Sequence, residues 1–139
     1  MTRSPAVPGG TLVLDSEGLA KAVLRDRAVA GWLALARADD MRVITSAAAV
    51  VEVVHPRINR KALEWTLSRI VVQPVDEPIA RHAAALLADA GLHGRKYAVD
   101  AILASTALNA PGPATVLTSD LEDITALCGE GGRVTVIEI

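Results

Sequence analysis

Apolar positions along this chain fall into two periods. Short β-branched runs at residues 11–14, 42–44, 115–117 and 133–137 have the length and composition of buried strands, and residues 70–73 form a fifth candidate. Longer segments with apolar residues three and four apart separate most of them and predict helices. This alternation predicts an α/β protein: a three-layer α/β/α sandwich around a central, mainly parallel sheet. No linker, repeat or low-complexity segment interrupts residues 11–139, which read as one domain behind a disordered lead-in over residues 1–10.

Punctuation places the helices. Residues 17–24 form a short one ending near Asp26, and 28–38 carry Val29, Trp32, Leu33 and Ala36 at helical spacing, which assigns Trp32 to the core. Ser46 caps a helix that runs through Glu52 to Val54 before Pro56, although its valines also suit a strand. Residues 59–69 follow. Asp76 then caps residues 77–90, with Pro78 in the first turn and Gly91 as the stop, and residues 98–110 end at Pro111.

Composition narrows the function classes. Of 139 residues 51% are hydrophobic, yet only Trp32, Trp65 and Tyr97 are aromatic, while Ala fills 25 positions. Helices must therefore pack closely over small side chains. With 14 Lys and Arg against 16 Asp and Glu, the formal charge is −2. That balance argues against a platform of stacked aromatics or a simple counterion-release surface for nucleic acid. A lone Cys128 reads as a small buried apolar side chain and, with no partner for a disulfide, fits a reducing cytoplasm. No secretory signal is expected, because residues 1–10 hold two Pro and no apolar run, and no membrane span, because Asn109, Pro111, Gly112 and Pro113 break the longest uncharged stretch, 101–119.

Four acids stand out by position. Asp15 directly follows the first strand and Asp120 follows the fourth after Thr118 and Ser119, at the carboxyl ends where open α/β sheets bind ligands. Each also suits a helix cap or first turn. Glu52 is the only charge in residues 47–54, beside Ala48 and Ala49; Asp100 is the only charge in residues 97–110, beside Ala101, Ala104 and Ala107. A carboxylate on such an apolar face needs compensation, either an ion pair (Arg57 with Glu52, Arg95 with Asp100) or a cation. Convergent carboxylates repel one another unless positive charge is supplied. Oxygen donors without His or Cys suit Mg²⁺ or Mn²⁺, ions that hold phosphodiester oxygens and activate water. The set reads as a metal-dependent phosphodiesterase site.

The stretches Leu12-Val13-Leu14-Asp15-Ser16, Ser46 to Val54 with Glu52, Val99-Asp100-Ala101-Ile102-Leu103-Ala104 and Leu117-Thr118-Ser119-Asp120-Leu121-Glu122-Asp123 resemble the PIN domain, in particular its VapC-type toxin ribonuclease branch. The resemblance spans residues 11–139. It implies Mg²⁺- or Mn²⁺-dependent cleavage of RNA by a homodimer that a small antitoxin protein inhibits. Asp15, Glu52, Asp100 and Asp120 match the acidic quartet, Asp123 a frequent additional acid, and Thr118 or Ser119 a neighbouring hydroxyl.

Other residues have plainer readings. Ser119 to Glu122 fits a capping box, which makes Glu122 structural. Glu17 reads as a solvated first-turn acid near Asp15. His55, His82 and His93 lack metal-motif spacing, and the loop of His93, Arg95 and Lys96 is a candidate phosphate contact or simply solvated, as are Arg57, Arg60 and Lys61. Two other function classes remain: a PIN-like module that binds RNA or protein without cutting, and an aspartyl-phosphate receiver. The receiver is disfavoured because no Lys follows residue 96.

Overall fold

A computed structural model describes residues 9–139; the lead-in expected over residues 1–10 lies outside them except for Gly9 and Gly10. In chain order the elements are β1 (Thr11–Leu14), α1 (Ser16–Val23), α2 (Arg27–Ala38), β2 (Arg42–Ser46), α3 (Ala47–Glu52), α4 (Arg60–Ser68), β3 (Val71–Gln73), α5 (Glu77–Ala90), α6 (Gly94–Leu108), β4 (Ala114–Thr118), α7 (Leu121–Cys128) and β5 (Val134–Glu138). The strands make one sheet in the order β3-β2-β1-β4-β5, and every pair is parallel.

Side-chain alternation along the strands sets the layers. Val13 of β1 points to one face with Ile44 and Val116, where Leu103 and Ala107 of α6 and Ile124 of α7 cover it. Leu12 and Leu14, one residue out of phase, face Trp32, Leu33 and Ala36 of α2, with Leu117 beside them. Burying each such leucine contributes about 1.5–3 kcal/mol. On the first face, Ala83 of α5 packs with Ala101 and Ala104 of α6, the close helix approach that the alanine content implies. The result is the three-layer α/β/α sandwich expected from the pattern.

Local chemistry explains the ends. Side chains of Asp15, Asp26, Ser46, Asn59 and Asp76 each accept a backbone N–H in the first turn of a helix, and Gly91 ends α5 in the left-handed conformation. Gly10 has φ +84° and lies against the Pro113 carbonyl, where any side chain would collide. The Arg133 guanidinium donates to the carbonyls of Leu108, Ala110 and Gly112, tying β5 to the turn that precedes β4.

Four expectations require correction. Helix α3 ends at Glu52 rather than Val54. Helix α6 begins at Gly94 rather than at residue 98, with a kink at Tyr97, so Arg95 and Lys96 lie in a helical turn rather than a loop. The capping box does not form: Asp120, not Ser119, occupies the N-cap of α7 and its side chain makes no cap bond. Glu52 is exposed rather than buried, because it stands at the end of a six-residue helix whose inner face is Ala49.

Candidate active site

Strands β1 and β4 are neighbours, yet the chain leaves β1 toward β2 and leaves β4 toward β5 on the other side. Such a switch point opens a crevice at the carboxyl ends of the strands. Asp15 lies at the end of β1, its N–H donating to the Leu117 carbonyl of β4 at 3.2 Å, and its side chain is only 5% exposed. Oδ1 accepts from the Gly18 N–H at 2.6 Å, so the carboxylate caps α1 while it faces the crevice. Gly18 is needed for this approach: a Cβ there would lie 3.1 Å from the Leu117 carbonyl oxygen and 3.4 Å from Asp15 Oδ1.

The second strand end adds two groups. Thr45 of β2 donates its hydroxyl to the Leu14 carbonyl at 2.7 Å, fixing β2 against β1 where α3 departs. At the far end of α3, Glu52 Oε1 accepts from the Ser16 hydroxyl, which joins the first turn of α1 to the last residue of α3. Across the sheet, the buried Thr118 hydroxyl accepts from the Asp120 N–H at 2.9 Å. Asp15, Ser16, Glu17, Glu52, His55 and Asp120 line one open groove of about 370 Å³.

Asp100, from α6, completes the field. Its carboxyl is pushed up to about 6, first by burial and then by the charges of Asp120, Glu52, Asp123 and Asp15. Asp15 is also raised, chiefly by burial and further by Asp120 and Glu17, while the Thr118 hydroxyl and the Gly18 N–H pull it back. All five acids singled out in the sequence therefore act on Asp100 or are Asp100 itself. No arginine relieves them: among the described residues the one ion pair is Arg81 with Glu77, so the expected pairs of Arg57 with Glu52 and Arg95 with Asp100 are absent.

This donor chemistry fits a hard divalent cation: oxygen-only carboxylates, two of them raised by burial and mutual repulsion, without a cationic side chain. The donors are not yet gathered, since among the described residues no three His, Cys, Asp or Glu side chains surround one point. Sequence reasoning missed two groups. Ser16 was passed over because its partner is 36 residues away, and His55 because it lacks motif spacing; its Nδ1 accepts the Arg57 N–H at 3.1 Å while the ring lines the groove. His82 is structural, its Nδ1 lying 3.1 Å from Ser105 Oγ and 2.9 Å from Asn109 Nδ2.

No family model matches the chain, and no curated protein matches it at a significant level. Among solved structures it is similar to a chain of VapBC2 from Rickettsia felis bound to a DNA fragment from their promoter, with a TM-score of 0.66 and 17% identity over 93% of this chain and 98% of that one. It is also similar to a chain of FitAB bound to an IR36 DNA fragment (TM-score 0.58, 22% identity, 91% and 94% covered) and to one of FitAcB from Neisseria gonorrhoeae (TM-score 0.55, 23% identity, 90% and 95% covered). At these identities the likeness establishes the fold, which is PIN-like.

Proposed function

We propose that this chain is a divalent-metal-dependent endoribonuclease of the PIN family, the VapC-type toxin of a toxin-antitoxin pair, acting in the cytoplasm. The observation that carries the reading is the unrelieved acidic field at the switch point, in which burial first and then the carboxylates of Asp120, Glu52, Asp123 and Asp15 raise that of Asp100. Fold likeness to chains of VapBC2 and FitAB supports the toxin and antitoxin assignment. No helix among the described residues is long and apolar enough to cross a membrane.

Asp15, Asp100 and Asp120 would hold Mg²⁺ or Mn²⁺ directly or through water, with Asp123 at the edge of the site and Glu52 as a further ligand or water-orienting group. When bound, the cation supplies the positive charge that phosphate oxygens require and lowers the pKa of water. Ser16 holds Glu52 toward the groove. Glu52 orients the attacking water by accepting its hydrogen bond, and Asp15, fixed by Gly18 and Thr118, keeps its geometry through the step. The substrate is RNA, the active form a homodimer, and the inhibitor a small antitoxin protein.

Calorimetric titration with Mn²⁺ tests this directly. Binding by the wild-type chain that is lost in Asp100→Asn supports the reading. A second reading, a PIN-like module that binds RNA or protein without cutting, draws on the ungathered donors. It predicts RNA or protein binding with no Mg²⁺ or Mn²⁺ uptake.

A further inference from the structure

At the opposite edge of the sheet, by the amino ends of β2 and β3, Trp65 of α4 is 58% exposed with two arginine side chains over its ring. The Arg69 guanidinium lies 5.4 Å and that of Arg25 6.0 Å from the indole centroid. Beside them opens a pocket of about 380 Å³ with an apolar floor that includes Leu33 and Ile70, Arg37 on its wall, and no Asp or Glu among its lining residues.

Arginines just past helix C-termini have an ordinary use, offsetting the helix dipole. That use leaves two features unexplained. One is an indole left in water in a chain with three aromatics. The other is the backbone of Arg25, which has φ +57°. Arg25 N–H donates to the Ala22 carbonyl and Asp26 N–H to that of Lys21, a C-terminal motif whose left-handed residue is normally glycine. Arg25 thus combines a costly left-handed backbone, which Asp40 shares, with a side chain that lies over Trp65. Charge is biased the same way: residues 16–73 carry nine Lys and Arg against six Asp and Glu, whereas residues 74–139 carry four against nine.

We infer that this pocket binds one nucleotide unit, its base against Trp65 over the apolar floor and its phosphate on Arg69, Arg37 and Arg25. An indole offers a stacking surface for any base, and a planar guanidinium matches two phosphate oxygens. A free mononucleotide and a nucleotide within an RNA strand present the same chemistry. The site shares no lining residue with the acidic groove and stands independently of the nuclease reading.

The test uses the full chain in EDTA, so that cleavage plays no part. Its two indole N–H resonances are assigned with Trp65→Phe and followed during titration with AMP, with adenosine, with a ten-nucleotide single-stranded RNA, and with a peptide of alternating Leu and Glu. The Trp65 resonance is expected to shift saturably with AMP, and adenosine to bind roughly tenfold more weakly for want of the phosphate. Arg69→Ala and Arg25→Gly should each weaken AMP binding several-fold, although Arg25→Gly relieves its backbone and raises Tm. Tighter binding of the RNA than of AMP identifies the strand as the source of the nucleotide; equal binding identifies the free nucleotide. No shift with AMP or RNA, affinity unchanged in both arginine variants, or tighter binding of the acidic peptide overturns the inference.

Discussion

The Gly18 N–H donates to Asp15 Oδ1 at 2.6 Å, and the missing Gly18 side chain is what lets the first turn of α1 approach the end of β4. Gly18→Ala puts a methyl group 3.1 Å from the Leu117 carbonyl oxygen, backbone in a central strand that cannot readily yield. Alanine's helix preference of about 1 kcal/mol offsets part of the strain. A net loss of about 1 kcal/mol is expected, read as a lower urea midpoint, together with weaker Mn²⁺ binding as the cap shifts.

Asp100 works against the fold in the absence of a cation. Its carboxyl sits at about 6 in the folded protein against an ordinary 3.8, so the folded state binds the proton more tightly than the unfolded one. The destabilisation is fully present above pH 6, falls as the pH drops through 6 and is gone below 3.8. A shift of about two units, discounted because the side chain is only half-buried, corresponds to roughly 1–2 kcal/mol. In EDTA, Asp100→Asn should therefore be more stable than wild type at pH 7 and lose that advantage near pH 4. Denaturant melts at both pH values check this, and a destabilised variant at pH 7 would contradict it.

Ser16 acts through Glu52. Ser16→Ala removes the hydroxyl that donates to Oε1, at an exposed site where the expected stability change is within about 0.5 kcal/mol. Cleavage should fall about tenfold in kcat, with KM little changed, since Glu52 positions water rather than substrate. Ser16→Thr should restore most of it. Unchanged kcat in Ser16→Ala would remove this role.

Arg133 is a fold residue. Its guanidinium holds three carbonyls of the turn before β4, so Arg133→Ala should cost about 1–3 kcal/mol, read in Tm, while Mn²⁺ affinity measured well below Tm stays as it was.

Features written in adjacent residues were legible without a structure. Asp76, Pro78 and Gly91 delimit α5 because caps and stops act within a turn, and Asp15 after β1 places an acid at the sheet's functional edge. Asp100 stood out as a lone charge on an alanine-rich helix, and burial with mutual repulsion is what the structure finds there. Features set by distant residues were not legible. Ser16 meets Glu52 only because α1 and α3 converge, and Trp65 meets Arg25 across two helices. Glu52 was misjudged as buried because its apolar neighbours are exposed valines, Val51 and Val54, at the end of a short helix.

The most direct test of the nuclease account is cleavage of total RNA by the wild-type chain and by Asp15→Asn, each with Mg²⁺ and again with excess EDTA. The account predicts discrete RNA fragments only for wild type with Mg²⁺. Equal cleavage by Asp15→Asn, or cleavage that persists in EDTA, would contradict it.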